Sequence, residues 1–241
     1  MLGDTLEPLT ELWQSILDSP ERLAGEYERV WAAQRDDPAA HFLAVRDTFN
    51  ADGGGARLLY LLARCVKNSP RFNGAGHFNQ SPDHRRRGMN PKKMRGEIAD
   101  AAGLLRGRST VTCADFGELL AEATPRDLVY MDPPWEGTSK GTDKRYRDGL
   151  TRERLILVLE DLHRRGVPYL LSYDGRHGDK QYGERLPDSI GADRLELDAG
   201  RSSQATLNGR EVTTYESLYV STSLTVVPSA VEQLRPFTRA A

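Results

Sequence analysis

The sequence predicts an α/β fold in which a largely parallel sheet is flanked by helices. In the second half of the chain, short apolar runs alternate with helical patterns, which is typical of parallel strands joined by helices. The first half carries apolar residues at helical spacing. With 241 residues, 38% of them hydrophobic, the chain has the size of one α/β domain or of a domain with an insert.

Four amphipathic helices are predicted in the first part of the chain, over about 8–17, 21–34, 57–66 and 92–105. The first begins at Pro8, whose fixed φ suits the first position of a helix. In each segment apolar residues recur every three or four positions, so that one face can be buried.

Between the third and fourth helices, residues 68–91 have no periodicity and are rich in Gly, Asn, Pro, His and Arg. This composition predicts an irregular insert with turns. The charge is also uneven, because Arg64–Arg108 contains eleven Lys or Arg but three acidic residues, whereas the whole chain has a net charge of −2. The run Gly53–Gly55 before the third helix is interpreted as a plain turn.

Five short strands are predicted, and a helix over 151–165 separates the second strand from the third. Thr151 suits the N-cap of this helix, Arg164 and Arg165 fall in its last turn, and Gly166 follows it. The predicted strands cover Thr110–Ala114, Leu128–Met131, Tyr169–Ser172, Arg194–Leu197 and Tyr215–Val220.

The most informative motif is Asp132-Pro133-Pro134-Trp135, directly after the apolar run 128–131. The run predicts a buried strand, and open α/β sheets place their chemistry at the carboxyl ends of strands. The motif suits methylation of an exocyclic amino group on a base. Asp132 and the Pro133 carbonyl would accept the amino hydrogens, and Trp135 offers a stacking face. The simpler interpretation is a tight turn with a capping Asp.

Other classes of site are not favoured by the sequence. Cys65 and Cys113 lack metal-ligand spacing and predict buried free thiols, and the five scattered histidines predict no metal site. Apolar runs are too short for a membrane span, and the N-terminus lacks the pattern of a signal peptide. We therefore expect a soluble cytoplasmic protein without metal.

Further motifs occur in a characteristic order along the chain. They are Leu2-Gly3-Asp4, Arg71-Phe72-Asn73-Gly74, Gly76-His77-Phe78-Asn79, Asp115-Phe116, Leu171-Ser172-Tyr173-Asp174, and Arg201-Ser202 followed by Tyr215-Glu216-Ser217-Leu218. With the Asp-Pro-Pro-Trp motif, they make the chain resemble the Dam-like, or D12, class of DNA adenine-N6 methyltransferases from Leu2 to about Ser221.

The resemblance implies a Rossmann-like sheet with a small helical and irregular DNA-recognition insert. It also implies S-adenosylmethionine as the cofactor, double-stranded DNA as the partner, and association with the nucleoid. The implied activity is site-specific methylation of a flipped adenine, within a restriction–modification system or in phage or host DNA modification. The implied domains are 1–34 with 109–221 as the catalytic core, 35–108 as the insert and 222–241 as a tail.

The resemblance assigns roles to individual residues. Asp132, Pro133, Pro134 and Trp135 are catalytic. The residues implied to bind the cofactor are Asp4 at the ribose hydroxyls, Asp115 and Phe116 around the cofactor adenine, and Asp132.

The implied DNA contacts fall into three groups. Arg71, Asn73, His77 and Asn79 belong to a DNA-facing hairpin, and the polar ones among them suit base edges. A basic group suits phosphates, although a solvated basic face would have the same composition. Tyr146 lies in the long loop 136–150, which either closes over the target nucleotide or is a solvated loop. The basic group consists of Arg85, Arg86, Arg87, Lys92 and Lys93.

In one respect the chain departs from the family. The Phe-x-Gly-x-Gly loop that wraps the methionine part of the cofactor is not found before Asp4, so the first central strand of the sheet is expected to be missing. Such a sheet has unpaired strand edges. The explanations are a shortened enzyme, a split enzyme whose second polypeptide supplies the strand, and an inactive copy. The alternative to an active methyltransferase is a DNA-recognition subunit or an inactive fragment of a split enzyme that needs a partner for cofactor binding. Methylation of cytosine is a further alternative, for which Ser more often replaces Asp132.

Overall fold

The computed structural model describes residues 1–35, 37–66, 70–133, 150–177, 180–201 and 213–224. The chain forms two compact units, Met1–Leu119 and the described residues from Leu120 onward. No helix in the described ranges is long and apolar enough to cross a membrane.

Helices make up most of the first unit. Four of them confirm the predicted helices, with ends that differ from the predicted ones by a residue or two, as is usual for helix boundaries. The helices are α1 (Glu7–Asp18), α2 (Pro20–Ala32), α3 (Pro38–Asp52), α4 (Gly55–Arg64) and α5 (Pro91–Leu105).

Helix α3 is not predicted by the sequence pattern. It begins after Asp37, whose carboxylate accepts hydrogen bonds from two backbone amides of the first turn. Phe42, Val45 and Phe49 are buried, but the neighbouring Leu43 is exposed. The apolar residues therefore do not form the clean stripe on which the other helices are recognised.

The helices of this unit pack around one hydrophobic core. Tyr27, Phe42 and Tyr60 are fully buried in it. The irregular segment between α4 and α5 adds Phe78, whose backbone amide and carbonyl both bond to the side chain of Asn50, at 2.8 and 3.0 Å. The predicted lack of helix in this segment is confirmed, yet the segment is anchored in the core.

A small parallel strand pair completes the unit. β1 (Leu2–Asp4) pairs with β2 (Val111–Cys113), and the short helix α6 (Phe116–Ala121) follows. Cys65 is buried, as predicted, but the prediction that Cys113 is buried is wrong. Cys113 is the last residue of a three-residue strand, where the chain leaves the sheet.

The second unit is built on a sheet. Thr151 caps its helix by accepting a hydrogen bond from the amide of Arg154, at 3.2 Å, which confirms the predicted N-cap. A single 3₁₀ turn covers Asp188–Ile190. The other elements are β3 (Val129–Met131), α7 (Arg152–Arg164), β4 (Tyr169–His177), β5 (Lys180–Tyr182), β6 (Ala192–Arg201) and β7 (Thr213–Ser221).

The prediction of a largely parallel sheet is wrong for this unit. The strand order is β3-β4-β7-β6, with β5 also paired to β4, and only the β3–β4 pair is parallel. Helix α7 connects β3 to β4, whereas β6 and β7 follow one another with no described helix between them. Strands joined without a crossover pair antiparallel, so the sheet is mixed.

The prediction that strand β3 is buried is also wrong. Leu128 is 58% and Tyr130 is 64% exposed, because among the described strands β3 pairs with β4 alone. Strand β1 likewise has a described partner on one side only, which is β2. Each of these two strands therefore presents a row of backbone groups without a described partner.

Candidate functional site

Asp132 follows the exposed strand β3 at its carboxyl end. The last paired position of β3 joins Met131 to Leu171 of β4, so Asp132 lies level with the neighbouring Ser172. Within the described residues the Asp132 carboxylate has no hydrogen-bond or ion-pair partner. Partial burial raises the pKa of Asp132 above the ordinary value of a carboxyl group.

The surroundings of Asp132 favour its action as an acceptor. Tyr130, two residues earlier, is largely exposed, and partial desolvation, followed by the charges of Asp132 and Glu216, raises its pKa, so its phenol stays protonated at neutral pH. An uncommitted carboxylate at a strand end can accept hydrogen bonds from a ligand without breaking an internal bond. This arrangement suits a group that polarises an amine.

The rest of the predicted catalytic motif is described only in part. Pro133 is described and half-buried, while Pro134, Trp135 and Tyr146 lie outside the described residues. The roles assigned to these four residues stay predictions.

Three of the four predicted cofactor residues, Asp4, Asp115 and Phe116, lie in the first unit, at the carboxyl ends of two adjacent parallel strands, and Asp132 lies in the second unit. Asp4 ends β1 and is paired with Cys113, and Asp115 follows β2 two residues later. One carboxylate oxygen of Asp4 accepts from the amide of Leu6, at 2.7 Å. One oxygen of Asp115 accepts from the amide of Gly117, at 2.8 Å. Each carboxylate is thus oriented by a backbone amide of its own turn.

Strand β1 also packs closely against helix α6. A Cβ atom at Gly3 would meet Cδ1 of Leu119 in α6, so the Leu119 side chain would have to shift to admit a larger residue. Phe116, the first residue of α6, is half-buried beside Asp115. The structure therefore brings Asp4, Asp115 and Phe116 to one edge of the strand pair.

The predicted DNA-facing hairpin is a tight turn in the first unit. Phe72 and Phe78 stack edge to face, with ring centroids 5.5 Å apart, and turn their side chains to the core. The side-chain oxygen of Asn73 accepts from the amides of Ala75 and His77, both at 3.0 Å. Because this oxygen holds the turn, the amide nitrogen of Asn73 is the group left to contact a base.

Exposure separates the inward and outward sides of this hairpin. Arg71, Asn73, His77 and Asn79 are all exposed, whereas the two phenylalanines between them are not. The outward residues are those the sequence selects as DNA contacts. Their role stays a prediction.

The basic group also lies on the surface of the first unit. Arg85, Arg86 and Arg87 are exposed in the loop before α5, and Lys92 and Lys93 are exposed in the first turn of that helix. The Arg86 guanidinium lies 3.5 Å from the Asp83 carboxylate. The other basic side chains of the group have no ion-pair partner among the described residues.

One buried cluster in the second unit is not predicted by the sequence. Asp174 is fully buried in β4, with a positive φ of 47°, at an irregularity in the pairing between β4 and β7. It pairs with Arg194 at 3.1 Å and accepts from the Tyr219 hydroxyl at 2.6 Å. Burial, followed by the bond to Asp174, raises the pKa of Tyr219 to about 12. An acidic residue inside an apolar strand run is the one sequence signal that points to such a cluster.

No candidate metal site occurs among the described residues of either unit. The described residues contain no group of three or more His, Cys, Asp or Glu side chains that could hold a metal ion.

Comparison with known proteins matches most of the chain to one family model. This model, described as D12 class N6 adenine-specific DNA methyltransferase, matches residues 1–202. The chain is 29% identical over 147 residues to the DNA N-6-adenine-methyltransferase of Escherichia phage P1, which covers 56% of this chain and 19% of that protein. It is 34% identical over 117 residues to the Retron Ec67 DNA adenine methylase of Escherichia coli, which covers 47% of this chain and 39% of that protein. These alignments span less than half the length of either relative.

Proposed function

The chain belongs to the D12 class of N6 adenine-specific DNA methyltransferases, and from this premise we propose that it methylates the exocyclic amino group of adenine in DNA. The donor in this proposal is S-adenosylmethionine. The observation that carries the proposal is the Asp132 carboxylate at the carboxyl end of β3, which has no hydrogen-bond or ion-pair partner among the described residues.

The chemistry required of this carboxylate follows from the nature of the adenine amino group. Its lone pair is delocalised into the ring, so the nitrogen is a poor nucleophile until its hydrogens are held by acceptors. Asp132 accepts one hydrogen, and the Pro133 carbonyl accepts the other. Attack of the nitrogen on the methyl group would break the bond between that methyl group and the sulfur, whose positive charge is thereby neutralised, and Asp132 would hold the surplus proton of the amine. Positioning and electrostatics supply most of the catalysis.

The residues of the first unit fit the adenosine part of the cofactor. When bound, S-adenosylmethionine supplies an electrophilic methyl group on a positively charged sulfur. The carboxylates of Asp4 and Asp115 are each oriented by a backbone amide of their own turn, and acceptors at this place suit the ribose hydroxyls and the adenine amino group. Their position at the carboxyl ends of parallel strands is that of nucleotide sites in Rossmann-like sheets.

Two exposed surfaces of the first unit are proposed to contact duplex DNA. The outward residues of the hairpin, among them Asn73 and Asn79, suit base edges in the major groove. The basic group from Arg85 to Lys93 suits phosphates, which position a protein without selecting a sequence.

Among the described strands, β3 is paired on one edge only, and its other edge supports the proposal that the enzyme needs a further strand. An exposed edge with apolar side chains such as Leu128 is a pairing surface. We propose that a strand with a glycine-rich loop pairs there and supplies contacts to the methionine part of the cofactor. A longer form of the chain or a second polypeptide is its source. In the second case this chain alone would act as the DNA-recognition part of a split enzyme.

The test is transfer of labelled methyl groups from S-adenosylmethionine to unmethylated duplex DNA, followed by identification of the methylated base. The proposal expects N6-methyladenine with the wild-type chain and its loss with Asp132→Asn, whereas DNA affinity is unchanged. A methylated cytosine would overturn it. If the chain neither transfers methyl groups nor binds the cofactor in calorimetry, but binds DNA, the split-enzyme form is the one to retain.

A further inference from the structure

Three buried side chains of the first unit donate hydrogen bonds to backbone carbonyls of the segment Asp83–Met89. The Tyr27 hydroxyl of α2 donates to the Met89 carbonyl, at 2.7 Å. The Gln34 amide donates to the Arg87 carbonyl, at 3.0 Å. The Arg64 guanidinium of α4 donates to the Asp83 carbonyl. All three side chains are at most 3% exposed, so the segment is held from the interior.

These side chains form one connected network. The Gln34 side-chain oxygen accepts from Nε of Arg64 and from the hydroxyl of Tyr60, both at 3.3 Å. The Asp83 amide donates back to the Arg64 carbonyl, at 2.9 Å. Buried polar networks whose members are satisfied rigidify the backbone they bind, because each broken bond leaves a polar group in a low-dielectric interior.

The outer side of the same segment carries the positive charge. Arg85, Arg86 and Arg87 are exposed. The backbone of the same segment is hydrogen-bonded to Tyr27, Gln34 and Arg64. Gly88 has a φ of 82°, a conformation that costs other residues energy, and this turn brings the Arg87 and Met89 carbonyls to their donors. The backbone therefore faces inward and the guanidinium groups face outward.

The positive charge of Arg64 has no carboxylate partner among the described residues. Its partners are a backbone carbonyl and an amide oxygen, and among the described residues no carboxylate lies within ion-pair distance. A buried cation beneath three exposed arginines is unfavourable in the free protein, and a polyanion on the outer surface relieves the repulsion. An uncharged donor would serve a purely structural anchor equally well.

We propose that Asp83–Met89 is a preformed phosphate-binding segment for duplex DNA, with Tyr27, Gln34 and Arg64 as its positioning residues. This inference rests on the proposed function, because it takes DNA as the partner. The network fixes the backbone before DNA arrives, so that little conformational entropy is lost when the arginines engage phosphates.

The test compares DNA binding by four forms of the full chain. The clamp variant is Tyr27→Phe with Gln34→Ala, and its control is Tyr60→Phe, which also removes a buried hydroxyl but no bond to the segment. The charge variant replaces Arg85, Arg86 and Arg87 by Ala. The fourth form is the wild type. Affinity for a labelled mixed-sequence duplex is measured by anisotropy over a range of NaCl concentrations, and amide hydrogen exchange is followed by mass spectrometry.

The expected results distinguish the effect of the backbone position of the segment from the effect of its arginine charges. The clamp variant raises Kd about tenfold with an unchanged salt dependence, since the number of phosphate contacts is the same. Its amides at 84–89 exchange faster, while those of α1 are unaffected. The Tyr60→Phe control stays within about twofold of wild type. The charge variant raises Kd and lowers the salt slope by about 3.

Three results would overturn the inference. If the clamp variant binds DNA as the wild type does, while the charge variant is weakened, the segment contacts phosphate but needs no preorganisation, and the proposed function stands. If Tyr60→Phe loses as much affinity as the clamp variant, the effect follows overall stability. If the charge variant binds with wild-type affinity and slope, the phosphate contact in the proposed function fails together with the inference.

Discussion

Two aspartates on neighbouring strands of the second unit have opposite environments. Asp132 follows β3, has no described partner and has a raised pKa. Asp174 lies in β4, the strand that pairs with β3, and it is fully buried between Arg194 and Tyr219. One carboxylate is thus bound within the sheet, while the other has no bond to another described residue.

The physical basis of this difference is strand position. β4 lies inside the sheet, between β3 and β7, and Asp174 is fully buried in it, so its charge must be paired internally. β3 pairs with β4 alone among the described strands, so a carboxylate at its end can remain partly hydrated. Four experiments sharpen or break the comparison, and the three that use variants come first, in order of decreasing expected effect.

Asp132→Ala should abolish most of the methyl transfer without unfolding the protein. Loss of the acceptor removes a bond that strengthens as charge develops on the amine, and such losses cost about 10²–10³ in turnover. Single-turnover transfer of labelled methyl measures the effect, and circular dichroism confirms the fold. Turnover within about threefold of wild type would show that Asp132 is no more catalytic than Asp174.

Asp174→Ala should act on stability instead. Removal of Asp174 leaves the buried Tyr219 hydroxyl without its acceptor and the Arg194 guanidinium with Glu196 as its remaining carboxylate partner, which costs about 2–3 kcal/mol. Urea unfolding followed by fluorescence gives the free energy. The control is Asp161→Ala, which breaks partly exposed pairs with Arg164 and Arg165 of α7 and should cost less than about 1 kcal/mol. Equal losses in the two variants would contradict the assignment of Asp174 to the interior.

The smallest expected effect concerns the stability cost of the Asp132 charge. Because folding raises the pKa of this carboxyl, the native state binds its proton more tightly than the unfolded chain, and stability falls as the pH rises through that range. Asp132→Asn should therefore be slightly more stable than wild type at neutral pH. The difference should shrink as the pH falls through the raised pKa and vanish below about 3.9, the ordinary value for Asp. Thermal unfolding across this pH range measures it, and a difference that grows towards low pH would reverse the sign of the argument.

The same raised pKa predicts the acid limb of the activity. Methyl transfer needs the ionised form of Asp132 as acceptor, so the rate should fall with acidity around a pKa above the ordinary carboxyl value. The pH dependence of single-turnover rates checks this.

Local patterns in the sequence account for much of the helical structure. α1, α2, α4, α5 and α7 are recognisable because their buried residues recur at helical spacing next to suitable ends, as with Thr151. The carboxyl-end position of Asp132 is predictable for a similar reason, since an apolar run ends immediately before it. α3 escapes prediction because its apolar residues do not lie on one side.

Pairing and burial could not be predicted in the same way. The exposure of Tyr130, the antiparallel placement of β7 and the open edge of β3 depend on which strand lies beside which. Periodicity reports that a residue alternates between two faces, but it carries no information about the neighbour across an edge.

By itself, the sequence determined the main helices, the Asp-Pro-Pro-Trp motif after a strand and the motif order that resembles one methyltransferase class. Only the tertiary structure decided that Asp174 is tied to Tyr219 and that the basic segment is anchored through Tyr27 and Met89, which are 62 positions apart. The physical reason is the distance along the chain over which each interaction acts. Helix propensity and capping act over a few neighbouring residues, whereas a buried hydrogen bond forms only when distant parts of the chain are packed together and water is excluded from both partners.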